Sequence, residues 1–516
     1  MVSSGGASLI RQYWGSYVAF LNCGQTHLVI QDPTAAIPCY YMFRNGVTLL
    51  FSNIEMCGFL DVSGLSIDTE FVSALLAYDK PLDGRTGLKE VSELLAGEAL
   101  TRDRSGKLRL STLWDPRSIA RETPDLSDAE AETLLAATVR QCVSARASEF
   151  EEITVSLSGG LDSSIVLACL TAGYEPERLH AVHYKLGSGD EAEEQFAAET
   201  ARHCGCPLTT VPVIPAQGFP GPEDFPATVR PSRQRVAPDL PALLPPSLRR
   251  PGCAWFTGQG GDHLFHVARN PLIFADYVFQ NGITSSTGSQ LMAAARLSGL
   301  SIWEVLKLTL FPATRPPLAM MAGIQSRETR ATRRHHQQSD IGERFPAWAL
   351  HADGVPPAKF DQLSTLPHLF QLRDKPSLDP PEVVHPLISQ PLIELCLQLP
   401  SWQLSRGGQS RGLVRSAFAG AIPDSVRTRM TKGYASRYYT ERAAAHLETI
   451  RGALIGGELS KAGLLSDAET ESLLTADRFR SEKSGSMLLV YYGIEGWLRA
   501  WSSRRSNASK RSGAAP

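Results

Sequence analysis

The stretch from Ile153 to Ile214 leaves few folds open. Three apolar runs, Ile153 to Leu157, Leu179 to Leu186 and LTTVPVI from Leu208, alternate with two segments of helical character, SSIVLACLTAG and DEAEEQFAAETARHCG. Parallel strands need a crossover between them, and a helix is the usual one. Strand, helix, strand, helix, strand therefore predicts an α/β region: a parallel sheet flanked by helices. Upstream, from about Leu9 to Leu113, short strands with turn signals predict antiparallel pairing instead. SYVAFLNCGQTHLVIQD reads as a hairpin turning at Cys23-Gly24-Gln25. IPCYYMFRNGVTLLFSN reads as a second, with Asn45-Gly46 suited to a two-residue turn. IDTEFVSALLAY is expected to be a capped helix.

A segment rich in Pro, Asp and Ser runs from Asp115 to Ser127. Ser127 and Glu130 have capping-box spacing, which starts a helix running to about Arg146. The many prolines of Pro212 to Pro251 predict a long mobile or irregular insertion. CAWFTGQGGDHLF returns to a buried strand ending in glycines, and the chain is then mostly helical to Trp501. SRETRATRRHHQQSD, Ser326 to Asp340, is expected to be a surface loop or exposed helix. A chain of 516 residues exceeds one core. A formal net charge of −2 argues against a general polyanion binder, so no nucleic-acid partner is expected. Nine cysteines, with Cys204-Gly-Cys206 the closest spacing, fit structural thiols in a reducing cytoplasm. Neither a signal peptide nor an apolar run long enough to span a bilayer is seen, so the expected localisation is cytoplasmic with no membrane span.

The chemistry concentrates in SGGLDSS, Ser158 to Ser164, where a strand becomes a helix. A helix N-terminus there offers unpaired backbone N–H groups and the positive end of a dipole. Gly159 and Gly160 let a ligand approach the backbone, and Ser158, Ser163 and Ser164 add hydroxyls. Together they suit a phosphate or pyrophosphate. Asp162 would repel a phosphate directly, so its carboxylate makes sense with Mg²⁺ between them. Neither GxxxxGK[ST] nor GxGxxG is present at this junction. TGQGGDHLF places a second acid, Asp262, after another strand, and two carboxylates from facing strand ends can hold Mg²⁺ among phosphates.

SGGLDSS resembles the pyrophosphate loop of the ATP pyrophosphatases, and TGQGGDHLF resembles the second Mg²⁺ segment of the asparagine synthetase branch of that family. The resemblance implies an adenine nucleotide α-hydrolase-like synthetase domain using ATP and Mg²⁺, with Asp162 and Asp262 as metal ligands. The ATP and pyrophosphate residues it implies are Leu157, Ser158, Gly159, Gly160, Leu161, Asp162, Ser163, Ser164, Val182, His183, Gly258, Gly260 and Lys432. Leu157, Val182 and His183 would cradle adenine, mainly through backbone groups. RGLVRSAFAGAIPDSVRTRMTKGY is similar to the segment that closes the synthetase domain, and it places Lys432 in the active centre as a cation for the charged transition states. Asp190 and Glu191 lie after the second strand, where they could face substrate or serve the helix dipole. His263 and His266 flank the second motif, either as packed rings or, for His263, as a group near substrate.

The resemblance extends over nearly the whole chain. YWGSYVAFL, THLVIQDP and CYY are similar to the glutaminase-like, Ntn-type domain of asparagine synthetases. Residue 2 is Val where glutamine hydrolysis needs a cysteine, and, set against the resemblance, the first third of that domain is expected to be absent. The expected organisation is thus a truncated, inactive β-rich domain over 1–122, an ATP-binding cyclase domain over 123–503, and a disordered basic tail over 504–516. Within the family, β-lactam synthetases carry a tyrosine where this chain has Gln259. The GQGGDHLF form, together with HPLISQPLIELCLQLP and its Ser389, resembles lasso peptide cyclases. That implies ATP-dependent macrolactam formation in a lasso precursor core peptide, with Glu191, Gln259, His263 and Ser389 near substrate. It also implies a leader peptidase and a leader-recognition protein as pathway partners. Other readings stay open: another amide-forming synthetase (β-lactam synthetase-like or a glutamine-independent asparagine synthetase), a tRNA-thiolating enzyme, or a non-catalytic scaffold.

Overall fold

In the computed structural model, which describes residues 4–23, 26–77, 82–103, 106–187, 191–231, 236–311, 345–370, 380–430, 436–474 and 482–512, a short helix, Ala7–Gln12, precedes two antiparallel sheets. β1 (Val18–Cys23) and β2 (Thr26–Gln31) form the first hairpin, β3 (Tyr40–Arg44) and β4 (Val47–Phe51) the second. β5 (Ser92–Glu93) joins the second, giving the order β4-β3-β5. β6 (Glu98–Arg102) and β7 (Leu108–Thr112) join the first, giving β1-β2-β6-β7. Asn45 at φ 51 and Gly46 at φ 78 both take the left-handed backbone that a two-residue hairpin turn demands. Asp68 caps the helix Thr69–Ala77 by accepting from the backbone N–H groups of Glu70 and Phe71.

The helix Asp128–Ala147 begins with the expected reciprocal capping box between Ser127 and Glu130. Five parallel strands follow: β8 (Glu152–Ser156), β9 (Leu179–Leu186), β10 (Leu208–Val213), β11 (Cys253–Phe256) and β12 (Glu382–Val384). Their order is β10-β9-β8-β11-β12. The chain winds outward from β8 through β9 and β10, then returns to the other side of β8 with β11. The direction of winding therefore reverses between β8 and β11, and a crevice opens beyond the carboxyl ends of those two strands. Both sequence motifs sit at that crevice. β12 has only three residues, too few for period-two alternation to show in the sequence.

Two apolar cores tie the antiparallel sheets to the rest of the chain. Ile30 and Trp114 pack in one cluster with Val155, Ile165, Phe256 and Leu392. Met42, Phe71 and Leu76 pack in another with Leu488, Tyr491, Trp497 and Trp501 of the closing helix. The insertion Pro212 to Pro251 is irregular, as its prolines predict, but it is pinned. Phe225, Val229 and Val236 join the second cluster. Arg442, fully buried, donates to the carbonyls of Pro215, Gln217, Gly218 and Val236. The indole N–H groups of Trp497 and Trp501 both reach the Thr228 carbonyl, each at 2.8 Å.

The closing helix spans Glu482–Ser512. It corrects the expectation of disorder from residue 504: the helix, anchored by buried Trp497 and Trp501, simply continues, and Arg504 lies over the Trp501 ring while donating to the carbonyls of Ala227 and Ile54. Ser326 to Asp340 lies outside the described residues, as do Gly24 and Gln25 of the first turn. Among the described residues no helix is long and apolar enough to cross a membrane.

Candidate active site

The first motif turns from β8 into the helix Leu161–Thr171, whose N-cap is Gly160. Gly159 has φ 76, and a side chain there would begin 2.3 Å from the Glu193 carbonyl oxygen. Only glycine lets the loop lie against the helix Glu191–His203. The loop is knitted to itself. The Ser158 N–H donates to Ser163 Oγ at 3.2 Å, the two hydroxyls lie 3.1 Å apart, and Ser163 Oγ donates to the Gly160 carbonyl at 3.2 Å. Ser158 is exposed and Ser163 buried. Ser164 is turned inward instead: fully buried, it donates to the Gly160 carbonyl at 2.8 Å and lies 3.2 Å from Thr200 Oγ1. Ser158 is thus the exposed residue at the helix start, beside buried first-turn residues whose backbone N–H groups precede the first helical carbonyls, an arrangement that suits an anion.

The second motif leaves β11, the neighbour of β8, and enters a short helix, Gly261–Leu264. It presses on the first motif. A side chain at Gly258 would begin 2.4 Å from the Ser163 nitrogen, and one at Gly261 would begin 2.5 Å from Asp162 Cγ. That contact brings the two acids together. Arg411 Nη1 donates to Asp162 Oδ2 at 2.9 Å and to Asp262 Oδ1 at 2.7 Å. The Asp162 side chain is 7% exposed and that of Asp262 44%, so the pair runs from the interior to the crevice wall.

The residues fit a divalent cation. Two carboxylate oxygens already surround one cationic nitrogen, next to the N-terminus of the Leu161–Thr171 helix. Among the described residues no group of three or more His, Cys, Asp or Glu forms a complete cage. A Mg²⁺ here would depend on phosphate oxygens and water for its remaining ligands, its usual habit in nucleotide sites.

Of the adenine candidates, the Leu157 N–H donates to the Val182 carbonyl at 2.8 Å, and His183 Nδ1 lies 2.9 Å from the Leu157 carbonyl. Since a carbonyl only accepts, His183 donates from Nδ1. These groups brace one another, Leu157 just past the end of β8 and Val182 and His183 in the middle of β9. Gln259 is exposed, and its N–H donates to Thr257 Oγ1 at 3.2 Å. Thr257 Oγ1 in turn lies 2.6 Å from His385 Nδ1, just after β12. Enclosure by protein pulls the His385 pKa down to about 4, so its ring is neutral at pH 7. Thr257, Gln259 and His385 line a cavity of about 990 Å³ whose far wall comes from the first antiparallel region, Thr34 to Pro38.

The other candidates have these surroundings. Glu191 is exposed at its helix start. The acid turned inward is Glu193, joined to both terminal nitrogens of Arg429, one at 3.0 Å. Arg429 also lies 4.2 Å over the Phe196 ring. His263 stacks near-parallel on His368 at 6.1 Å. Ser389 is fully buried and donates to the Pro386 carbonyl at 2.8 Å, so its hydroxyl serves the interior and does not face the crevice. His266 is a packed ring beside Ser405 Oγ, at 2.9 Å. Lys432 and Asp190 lie outside the described residues. The sequence reading assigned no role to Arg411, Glu193, Arg429, Gly261 or the Thr257–His385 contact. A trace of Arg411 was visible, since it is the first residue of RGLVRSAFAGAIPDSVRTRMTKGY, the segment similar to the one that closes the synthetase domain. Arg415 is buried, and this burial, with Arg411 nearby, pulls its pKa down to about 10.

The family model for asparagine synthase matches residues 134–270 and 380–499. The chain is asparagine synthetase-like. Both motif acids fall in the first matched segment of the asparagine synthase domain, and Arg411, Arg429 and Lys432 in the second. The domain is that of ATP-dependent amide-forming synthetases, which use ATP, generally with Mg²⁺. The parallel sheet, its helices and the antiparallel N-terminal sheets are consistent with the asparagine synthase fold. No curated protein matches the chain.

Proposed function

We propose that this asparagine synthetase-like protein is a lasso peptide cyclase, an AMP-forming ligase that closes a macrolactam ring in a leader-free core peptide. The observation that carries this reading is the cavity beside the second motif. Its volume of about 990 Å³ stands at the top of the roughly 300–1,000 Å³ range of small-ligand pockets. The cavity runs from Gln259 back to Glu149 and Gly252, before the amino ends of β8 and β11, a length that a free aspartate does not need and that a peptide of several residues can occupy. Ile37, Trp255 and Tyr439 give it apolar walls, and Gln259 marks its end at the crevice.

The chemistry runs in two displacements. A side-chain carboxylate oxygen of the peptide attacks the α-phosphorus of ATP, and pyrophosphate leaves. The peptide's own α-amine then attacks the activated acyl carbon; the isopeptide bond forms, AMP leaves and the amine gives up its proton. Ser158 and the first-turn backbone of the Leu161–Thr171 helix bind the leaving pyrophosphate, aided by the helix dipole. Asp162 and Asp262 would hold Mg²⁺, which supplies neutralisation of the phosphate charge. Lys432 is assigned the cation near the reacting centre. The remaining task is positioning, holding the amine against the activated carboxyl while the tail lies through the ring. We read residues 1–122 as the glutaminase-like remnant that walls the cavity, and residues 123–503 as the cyclase domain. A leader peptidase and a leader-recognition protein would deliver the substrate in the cytoplasm.

The test is incubation of the protein with Mg·ATP and the core peptide encoded beside its gene. Loss of one water from the peptide, with AMP and pyrophosphate released, is expected, and Asp162→Ala abolishes both. Release of ADP refutes the mechanism. Turnover of free aspartate and ammonia, with the peptide left linear, refutes the substrate.

A further inference from the structure

The bridge made by Arg411 stands where the cation of the proposed site belongs. One nitrogen, Nη1, serves both acids, and the guanidinium side chain is only 10% exposed. Its backbone is held for that purpose. Arg411 has φ 58, a left-handed conformation uncommon for a residue with a side chain. Its N–H donates to the carbonyl of His266, itself at φ 63, and the His266 ring lies against Ser405 Oγ. Arg411 precedes the helix Gly412–Ala417, and its carbonyl accepts from the Arg415 N–H at 3.1 Å. The side chain is thus aimed from a fixed mount into the gap between two loops on neighbouring strands.

A guanidinium and a divalent ion cannot share that gap, since like charges repel at such distances. Without a cation, the two carboxylates pressed together by Gly261 would repel each other. We propose that Arg411 is a resident counter-ion of the Asp162–Asp262 pair, occupying it before nucleotide arrives and yielding it to the divalent ion that comes with ATP. On leaving, the guanidinium turns to the incoming phosphates, whose geometry it matches. Metal binding is then coupled to nucleotide binding, and the free protein takes up divalent ions poorly. This rests on the reading that the two acids hold the metal.

The probe is Mn²⁺, followed by electron paramagnetic resonance on the full chain, alone and with α,β-methylene-ATP. If the guanidinium fills the pair nine-tenths of the time, apparent Mn²⁺ affinity is lowered about tenfold. Arg411→Gln should therefore raise Mn²⁺ affinity without nucleotide by about tenfold or more and shrink the enhancement by nucleotide. Adding Asp162→Asn should remove the gain. Tight Mn²⁺ binding with nucleotide, but no difference between wild type and Arg411→Gln without it, overturns the placeholder role and leaves the metal site standing. No Mn²⁺ binding under any condition overturns both. Should Arg411→Gln fail to fold, the wild type decides: Mn²⁺ affinities within about twofold with and without nucleotide overturn the proposal.

Discussion

The ion pair between Arg429 and Glu193 makes a quantitative demand. Both side chains are largely enclosed, 13% and 9% exposed, and the two terminal guanidinium nitrogens meet the two carboxylate oxygens. Arg429→Met keeps an unbranched apolar side chain but removes the guanidinium that lies over Phe196 and leaves the Glu193 carboxylate buried without its cation. Removing one member of a buried pair costs about 3–5 kcal/mol, most of it the desolvation of the charge left behind. Replacing both, as in Arg429→Met with Glu193→Leu, removes that stranded charge and should recover most of the loss. The expected coupling is therefore at least about 2 kcal/mol. Urea titration measures it, compared at constant slope. The pair also has a local consequence. Glu193 presents its carbonyl to Gly159 at a distance that admits no side chain, so loosening that helix should speed hydrogen exchange over residues 158–164 in the single variants. A single variant that loses less than about 1 kcal/mol, or a double variant no better than the sum of the singles, refutes the account.

Three further outcomes follow from the same structure. Gly261→Ala puts a methyl group 2.5 Å from Asp162 Cγ; overpacking there should cost about 1–3 kcal/mol and, by displacing the acid, weaken calorimetric binding of Mg·α,β-methylene-ATP. Arg442→Met strands four carbonyl acceptors of the insertion, so limited proteolysis should cut within residues 212–251 much faster than in wild type, and Arg442→Lys, with three donors, should not restore protection. His266 has its pKa lowered from 6.5 to about 3, chiefly by burial and then by Lys359. The unfolded chain therefore binds a proton that the folded chain refuses, and stability is lost as pH falls below 6.5. Between pH 6.5 and 4 this amounts to about 3 kcal/mol at most. His266→Asn, which tolerates the left-handed backbone, should flatten the stability difference across that window in urea titrations at each pH.

Much of the local structure was legible because it depends on near neighbours. The Ser127–Glu130 box, the Asn45-Gly46 turn and the bare SGG junction each advertise their geometry within a few residues. The pairing of Asp162 with Asp262 was expected from two similar strand ends. Its cause was not legible, because strand order is a property of the whole sheet and β12 is only three residues long. Glu191 and Ser389 show the limit from the other side. Glu191 stays exposed while helical phase turns Glu193 inward, an ion-pairing role its spacing did not advertise, and the Ser389 hydroxyl closes on Pro386. The insertion looked featureless because its fixings lie more than 200 positions away, in Arg442 and the two tryptophans.

Those fixings share a chemistry. Three arginines of the second matched segment or its neighbourhood each reach back to a different earlier piece: Arg411 to the motif acids, Arg429 to the Glu191–His203 helix, Arg442 to the insertion. Burying a guanidinium is poor economy for stability alone, since apolar residues of similar volume do as well or better. What a guanidinium adds is direction, because its planar fork accepts few geometries. The asparagine synthase domain is divided between residues 134–270 and 380–499, and neither segment by itself contains both the SGGLDSS loop and the arginines that reach towards it. The candidate site is therefore a seam. The arginines set its register, which explains why charges so costly to bury sit along that line rather than on the surface.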